Sequence, residues 1–192
     1  MKKWLRYVII FTTVTGLIAS IISTMMSERP IVYTVSLLKY FTIWSNIFLC
    51  LYMIFRPKKY KVFEQTKGGI YINITITMVV FFIFLSGTWQ PSGAGAYSNL
   101  MHHYISPMLA IVYLVLFERD SKTTFSDAKK WLVFPLAYLV FAIFICALTG
   151  NPVYPFLDIA NLGFGVVSFI VLGIFIFYLL LSFGFVKIVS RK

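Results

Sequence analysis

The sequence predicts an all-α integral membrane fold of six spanning helices, with the N- and C-termini both cytoplasmic. Three observations carry this. The 192 residues are 60% hydrophobic and only 12% charged, with a mean hydropathy of +0.88, well beyond the balance of a chain whose main solvent is water. Apolar runs recur along the chain, each close to the roughly 20 residues a helix needs to cross a bilayer core about 30 Å thick. The Lys and Arg residues gather in alternate gaps between those runs.

The first run covers residues 4–24. Its basic start, MKKWLR, resembles that of a signal peptide, but the apolar stretch is too long for a cleaved segment and reads as a retained span. The others cover 37–55, 70–86, 100–117, 131–149 and 163–186, the fourth being short unless its polar start, NLMHH, is included. Runs of this length are helices, because backbone groups in lipid must be satisfied internally and barrel strands would be shorter and would alternate. Residues 1–192 therefore form a single membrane domain with no room for a soluble one. Internal repeats are not evident, which leaves an inverted-repeat transporter without support.

A formal charge of +11 would suggest nucleic acid in a soluble protein; here the basic residues orient helices and meet anionic headgroups, so membrane lipids are the expected partners and nucleic acid is not. Fifteen of the 17 lie in the N-terminal tail, the second and fourth connections and the C-terminus, leaving Arg29 and Lys39 for the other side. By the positive-inside rule the crowded side is cytoplasmic, and the protein belongs in the cell membrane. Residues 25–36, 87–99 and 150–162 then form the outer connections. The second of these, GTWQPSGAGAYSN, is expected to be flexible, with Trp89 and Tyr97 suited to the headgroup layer. Cys50 and Cys146 fall at depths about 15 Å apart, too far for a disulfide.

The middle of each span is free of Asp, Glu, Lys and Arg, which weakens pump and channel readings. Thr42, Ser45 and Asn46 form a polar stripe at i, i+3 and i+4, one turn inside the second span. The plain reading is local: Thr42 bonds back to the carbonyl of Leu38, and Asn46 bonds a neighbouring helix. The sharper one makes Thr42 a nucleophile, which requires an adjacent base. His102 and His103, at the outer end of the fourth span, lie at a similar depth and differ by about 100° around the axis. His103 shares a small-residue face with Asn99, Pro107 and Ala110 and is the better candidate for the interior, although a packing role competes. Asp158, in NPVYPFLDIANLG, is either a loop acid at a helix start or a third member of a hydroxyl–imidazole–carboxylate set. Haem and metal are disfavoured by the adjacent histidines and scarce carboxylates, so no cofactor is assigned.

In KYFTIWSN (39–46), NLMHHYISP (99–107) and VYPFLD (153–158) the chain resembles the androgen-induced protein family of six-span membrane hydrolases, and looks closer to its bacterial branch. Animal members cleave fatty acid esters of hydroxy fatty acids with an intramembrane Thr and His. The resemblance implies Thr42 as nucleophile and His103 as base, with His102 still possible because the animal pattern has one more residue between His and Pro.

The leading expectation is thus a membrane-embedded lipid ester hydrolase. Thr42 attacks the acyl carbon, His103 moves the proton and Asp158 orients the imidazole. Ser45, Asn46 or Trp89 supply oxyanion donors, and Asn99, His102 and Tyr154 complete the substrate-binding set. A non-enzymatic membrane protein that binds lipid or a partner, and a transporter of a neutral solute, remain alternatives. The charge distribution predicts that single cysteines introduced near Lys59 and Ala94 label with an impermeant reagent from opposite sides of the membrane; labelling from one side overturns the orientation.

Overall fold

The computed structural model describes residues 1–55, 61–88, 90–118 and 123–190, the side chains of 61–65 aside, and every regular element among them is helical. Five helical segments are long and apolar enough to cross a bilayer, and a sixth arises if two helices joined at a 74° bend count as one span. These features define a multi-pass helical membrane protein.

Helix α1 (Lys2–Met25) buries Ile9, Thr12, Thr13, Gly16, Ala19 and Ser20, a stripe of mostly small residues that lets neighbouring backbones approach. The sequence suggested a loop at 25–36 and then a straight span from 37. Instead, α2 (Pro30–Ser36) starts directly on a proline, which lacks the N–H that a first helical turn leaves unpaired. A tight turn (Leu37–Lys39) and an extended Tyr40 then lead into α3 (Phe41–Phe55). The bend frees backbone groups that lipid cannot solvate. The Tyr138 hydroxyl donates to the Lys39 carbonyl at 2.7 Å, and the Phe41 N–H donates to the Tyr138 and Tyr154 hydroxyl oxygens at 3.0 and 2.9 Å. Lys39 stands at the bend itself, its ammonium 5.1 Å from the centre of the Tyr40 ring.

Helix α4 (Lys61–Phe84) is the central post, packed against α3 on one side and against the later helices on others. Next come α5 (Gly93–Leu100), a π turn (Met101–Ile105) and α6 (Ser106–Phe117), which together run as one span. From Gly93 onward the segment expected to be flexible is therefore helical, because it packs on α1. Gly95 lies close over Ser23, and the hydroxyls of Ser20 and Ser98 bond at 2.5 Å. Tertiary packing here overrides a Gly- and Ser-rich composition.

Helices α7 (Phe125–Trp131) and α8 (Val133–Thr149) form the fifth span, interrupted at Leu132. Pro135 has no N–H for the carbonyl four residues back, that of Trp131. The Tyr178 hydroxyl satisfies it at 2.8 Å. A 3-10 turn (Pro155–Leu157), the short α9 (Ile159–Leu162) and α10 (Phe164–Val189) complete the chain. Helices α1, α3, α4 and α6 enclose the core, whereas α8 and α10 present most of their apolar surface outward, as lipid-facing helices do. Cys50 is buried, Cys146 is half-buried, and both are free thiols.

Trp131 lies so close to α4 that a Cβ on Gly68 would stand 2.3 Å from its ring, while one on Gly165 would meet nothing within 4 Å. Gly68→Val is therefore expected to cost about 1–3 kcal/mol through overpacking. In detergent it should lower the thermal midpoint, and Gly165→Ala should leave it unchanged or slightly raised. Equal midpoints would show that the Trp131 contact is not tight.

Candidate active site

Thr42 occupies the first turn of α3, just beyond the bend, and its surroundings differ from those of most other helical threonines. Thr13, Thr15, Thr24, Thr75, Thr77 and Thr149 each donate to the carbonyl four residues earlier, the usual fate of a hydroxyl in an apolar helix. For Thr42 that carbonyl belongs to Leu38, beyond the bend, where it accepts the Trp44 indole N–H at 2.7 Å. The plain reading of Thr42 therefore does not hold. Its Oγ1 instead lies 3.2 Å from His103 Nε2.

The other nitrogen of the same ring, His103 Nδ1, is 2.8 Å from Asn99 Oδ1. An amide oxygen only accepts, so the ring proton resides on Nδ1 and the Nε2 lone pair faces Thr42. The Phe81 ring stacks on the imidazole with centroids 3.9 Å apart and planes within 18°, covering one face. Thr42, His103 and Asn99 thus form a hydroxyl–imidazole–amide relay with the hydrogen-bond pattern of a nucleophile, a base and an orienting group.

Both histidines lie in the π turn, where the Ser106 N–H reaches back five residues to the Met101 carbonyl. Pro107, one turn on, has no N–H to continue the regular ladder to His103, and a local i to i+5 adjustment accommodates such a loss. His103 turns toward α3 and α4. His102 turns toward α1, with its Nδ1 3.4 Å from Ser98 Oγ and its Nε2 where a Cβ on Gly16 would be only 2.8 Å away. The structure brings His103, not His102, to Thr42.

His103 lies ten residues into the Gly93–Phe117 span, and Gly16, level with His102, lies nine residues from the end of α1 at Met25. At 1.5 Å per residue, either distance is roughly 14–15 Å along the helix. Thr42 is near the end of its own helix only because that helix starts inside the bundle.

The remaining expected residues divide. Ser45 and Asn46 are both 0% exposed, and the Asn46 amide donates to the Thr42 carbonyl at 2.9 Å; a lipid carbonyl reaches neither in this packing. Trp89 lies outside the described residues. Tyr154 is at the site, its hydroxyl on the Phe41 N–H and against Thr42. Asp158 is not brought to the imidazole by a hydrogen bond. Its carboxylate caps α9, accepting the Asn161 N–H at 3.1 Å and side-chain amide at 2.6 Å, and the orienting place beside His103 Nδ1 belongs to Asn99. Among the described residues, His, Cys, Asp and Glu do not gather in threes that could hold a metal ion.

Two contributors were not anticipated. The orienting role of Asn99 had a signal, since Asn99 and His103 are four apart and share a helical face. Phe81 had none, because its contact depends on how α4 packs against the π turn. An apolar groove of about 350 Å³ also runs between α4 and α10, lined by residues including Val80, Ile83, Phe84, Phe169 and Gly173. Phe84 at its edge packs on Phe156, with ring centroids 5.1 Å apart, and Phe156 stacks on Tyr154.

No protein-family model matches the chain, and searches of curated proteins and of solved structures likewise find no match.

Proposed function

We propose that this protein is a membrane-embedded lipid ester hydrolase that uses Thr42 as nucleophile, His103 as general base and Asn99 to orient the imidazole. The single observation that carries the reading is the relay itself: Thr42 Oγ1 at 3.2 Å from His103 Nε2, with Asn99 Oδ1 at 2.8 Å from His103 Nδ1. A threonine hydroxyl is hardly ionised alone and needs a base within about 3 Å to attack an acyl carbon. The unusual release of Thr42 from its own helix supports the reading, and so does the resemblance of the Thr and His segments to the androgen-induced hydrolase family. That resemblance extends the proposal to fatty acid esters such as those of hydroxy fatty acids.

Apolar surroundings support a lipid substrate over a soluble one. The pair lies among apolar spans, and the groove between α4 and α10 is of a kind that accommodates an acyl chain. The proposal includes six spans with both termini cytoplasmic, as the distribution of Lys and Arg requires, so that substrate enters from the outer leaflet.

Thr42→Ala is expected to abolish hydrolysis of long-chain esters and labelling by a fluorophosphonate probe while the protein still folds. Thr42→Ser should retain part of the activity because it keeps the hydroxyl. His103→Ala should lose about 10²–10⁴-fold, with the Thr42→Ala/His103→Ala double variant scarcely worse than either single one, since groups acting as a unit are non-additive. His102→Ala should act mainly on thermal stability, as its ring packs against α1. Wild-type protein that hydrolyses no long-chain ester, or Thr42→Ala with full activity, overturns the enzyme reading in favour of a lipid- or partner-binding protein.

A further inference from the structure

The relay lacks one component, a donor for the negative charge that develops on the ester oxygen when the hydroxyl attacks. Ser45 and Asn46 are sealed within the bundle. The segment 150–158 brings another group to the same place. Tyr154 is extended, with φ −131° and ψ 146°, and its ring is fixed by stacking on Phe156 at 5.1 Å with planes 8° apart and by the tilted Tyr40 ring at 5.9 Å. Its oxygen accepts the Phe41 N–H at 2.9 Å and lies against both the N–H and the hydroxyl of Thr42. Accepting backbone N–H groups at the start of α3 polarises the phenol, since the helix N-terminus carries partial positive charge. A phenol titrates ordinarily near pH 10, so its proton is present at neutral pH. The Tyr154 hydroxyl also meets that of Tyr138, whose own proton goes to the Lys39 carbonyl; an ester oxygen beside Thr42 would take the Tyr154 proton in place of the Tyr138 oxygen.

We propose that Tyr154 is the oxyanion donor of this site, a catalytic residue whose O–H bonds the ester carbonyl oxygen as Thr42 attacks. The assignment rests on the esterase reading above. Thr42 Oγ1 forms a bond to the carbonyl carbon, its proton passes to His103 Nε2, and the carbonyl π pair moves onto the oxygen held by the Tyr154 O–H. Collapse re-forms the carbonyl and breaks the bond to the leaving alkoxide, which takes the proton from His103. Water then attacks the acyl-Thr42 ester by the same route, releasing the fatty acid and restoring the hydroxyl. Tyr154 donates at both tetrahedral stages and does not change protonation state. Its backbone contacts hold it in place beforehand, the preorganisation on which such donors depend.

The competing role is purely structural, with the oxygen capping α3. The two roles respond oppositely to ionisation, because a phenolate accepts the Phe41 N–H better than a phenol does but has no proton to donate. The experiment uses the full-length protein in detergent with a long-chain nitrophenyl ester. Tyr154→Phe is expected to lower kcat on the order of 10²-fold with KM little changed, as for loss of one oxyanion donor. Replacing Tyr154 with a difluorotyrosine keeps the ring, the fold and the capping oxygen while lowering the phenol pKa. The alkaline limb of the kcat–pH profile should then move to lower pH, since activity falls as the donor loses its proton. An unmoved alkaline limb, or a Tyr154→Phe effect on KM alone, overturns the assignment. Thr42→Ala separates the two levels: if it is inactive while Tyr154→Phe keeps full kcat, only the Tyr154 assignment falls. If Thr42→Ala is fully active or wild type is inert, the esterase reading falls and takes this one with it.

Discussion

A helix broken inside a bilayer must find new partners for the peptide groups that the break exposes, because each unsatisfied group in hydrocarbon costs several kcal/mol. The bend at Tyr40 meets this constraint with two phenols from distant parts of the chain, Tyr138 from α8 and Tyr154 from the segment before α9. Much of the site depends on that arrangement. Without it α3 would run on unbroken toward residue 37, the Leu38 carbonyl would lie in helical register with Thr42, and the hydroxyl would bond back as those of Thr13, Thr75 and Thr77 do. The same contacts help to hold α8 against the core, where the Phe134 ring also packs on Phe41 and Phe48. A backbone repair thus leaves the Thr42 hydroxyl to His103.

The proposed base is constrained by the same low dielectric. An ionised carboxylate beside His103 would have to be desolvated among apolar spans, a penalty that only close pairing offsets. An amide fixes the tautomer and the ring without that cost, and Cys-His-Asn proteases show that an amide suffices for the role. Asp158, the acid that composition made attractive, remains near the surface as the cap of a short helix, where a carboxylate keeps its hydration and meets the helix N-terminus. Phe81 adds a stacked, water-excluding face to the imidazole. The neighbouring His102 is used for packing, its ring occupying the space left by the missing side chain of Gly16.

How much of this was legible follows from the range of the interactions. Helix α1 spans 2–25 where hydropathy gave 4–24, and α10 spans 164–189 where it gave 163–186, since length and apolarity along one segment suffice for both. The Asn99–His103 face was visible because it is a property of helical spacing within one element. The bend was not, because the groups that permit it are 99 and 113 residues away in the chain. The helical turns at Gly93–Leu100 were hidden for a similar reason: glycine and serine read as loop until α1 is present to pack against them, after which their small size is what allows the contact.

Exposure across the relay and its neighbours is graded in a way that suits the proposed attack on a lipid. His103 is 9% exposed, and Ser45 and Asn46 not at all, whereas Thr42 is only half-buried. Thr42, the proposed nucleophile, and Asn99 are the half-buried members of the relay, while His103, the proposed base, is shielded by Phe81. A water-filled site would screen the Thr42–His103 interaction and hydrate the hydroxyl. In a dry one the same 3.2 Å contact acts at greater strength, because electrostatic interactions scale inversely with the local dielectric. A threonine is tolerable as nucleophile under these conditions. Its β-branch restricts χ1, so a hydroxyl denied its backbone acceptor has few orientations left, and among those the structure offers it His103. Release from the helix and shielding of the base thus work together, and neither would create the relay alone.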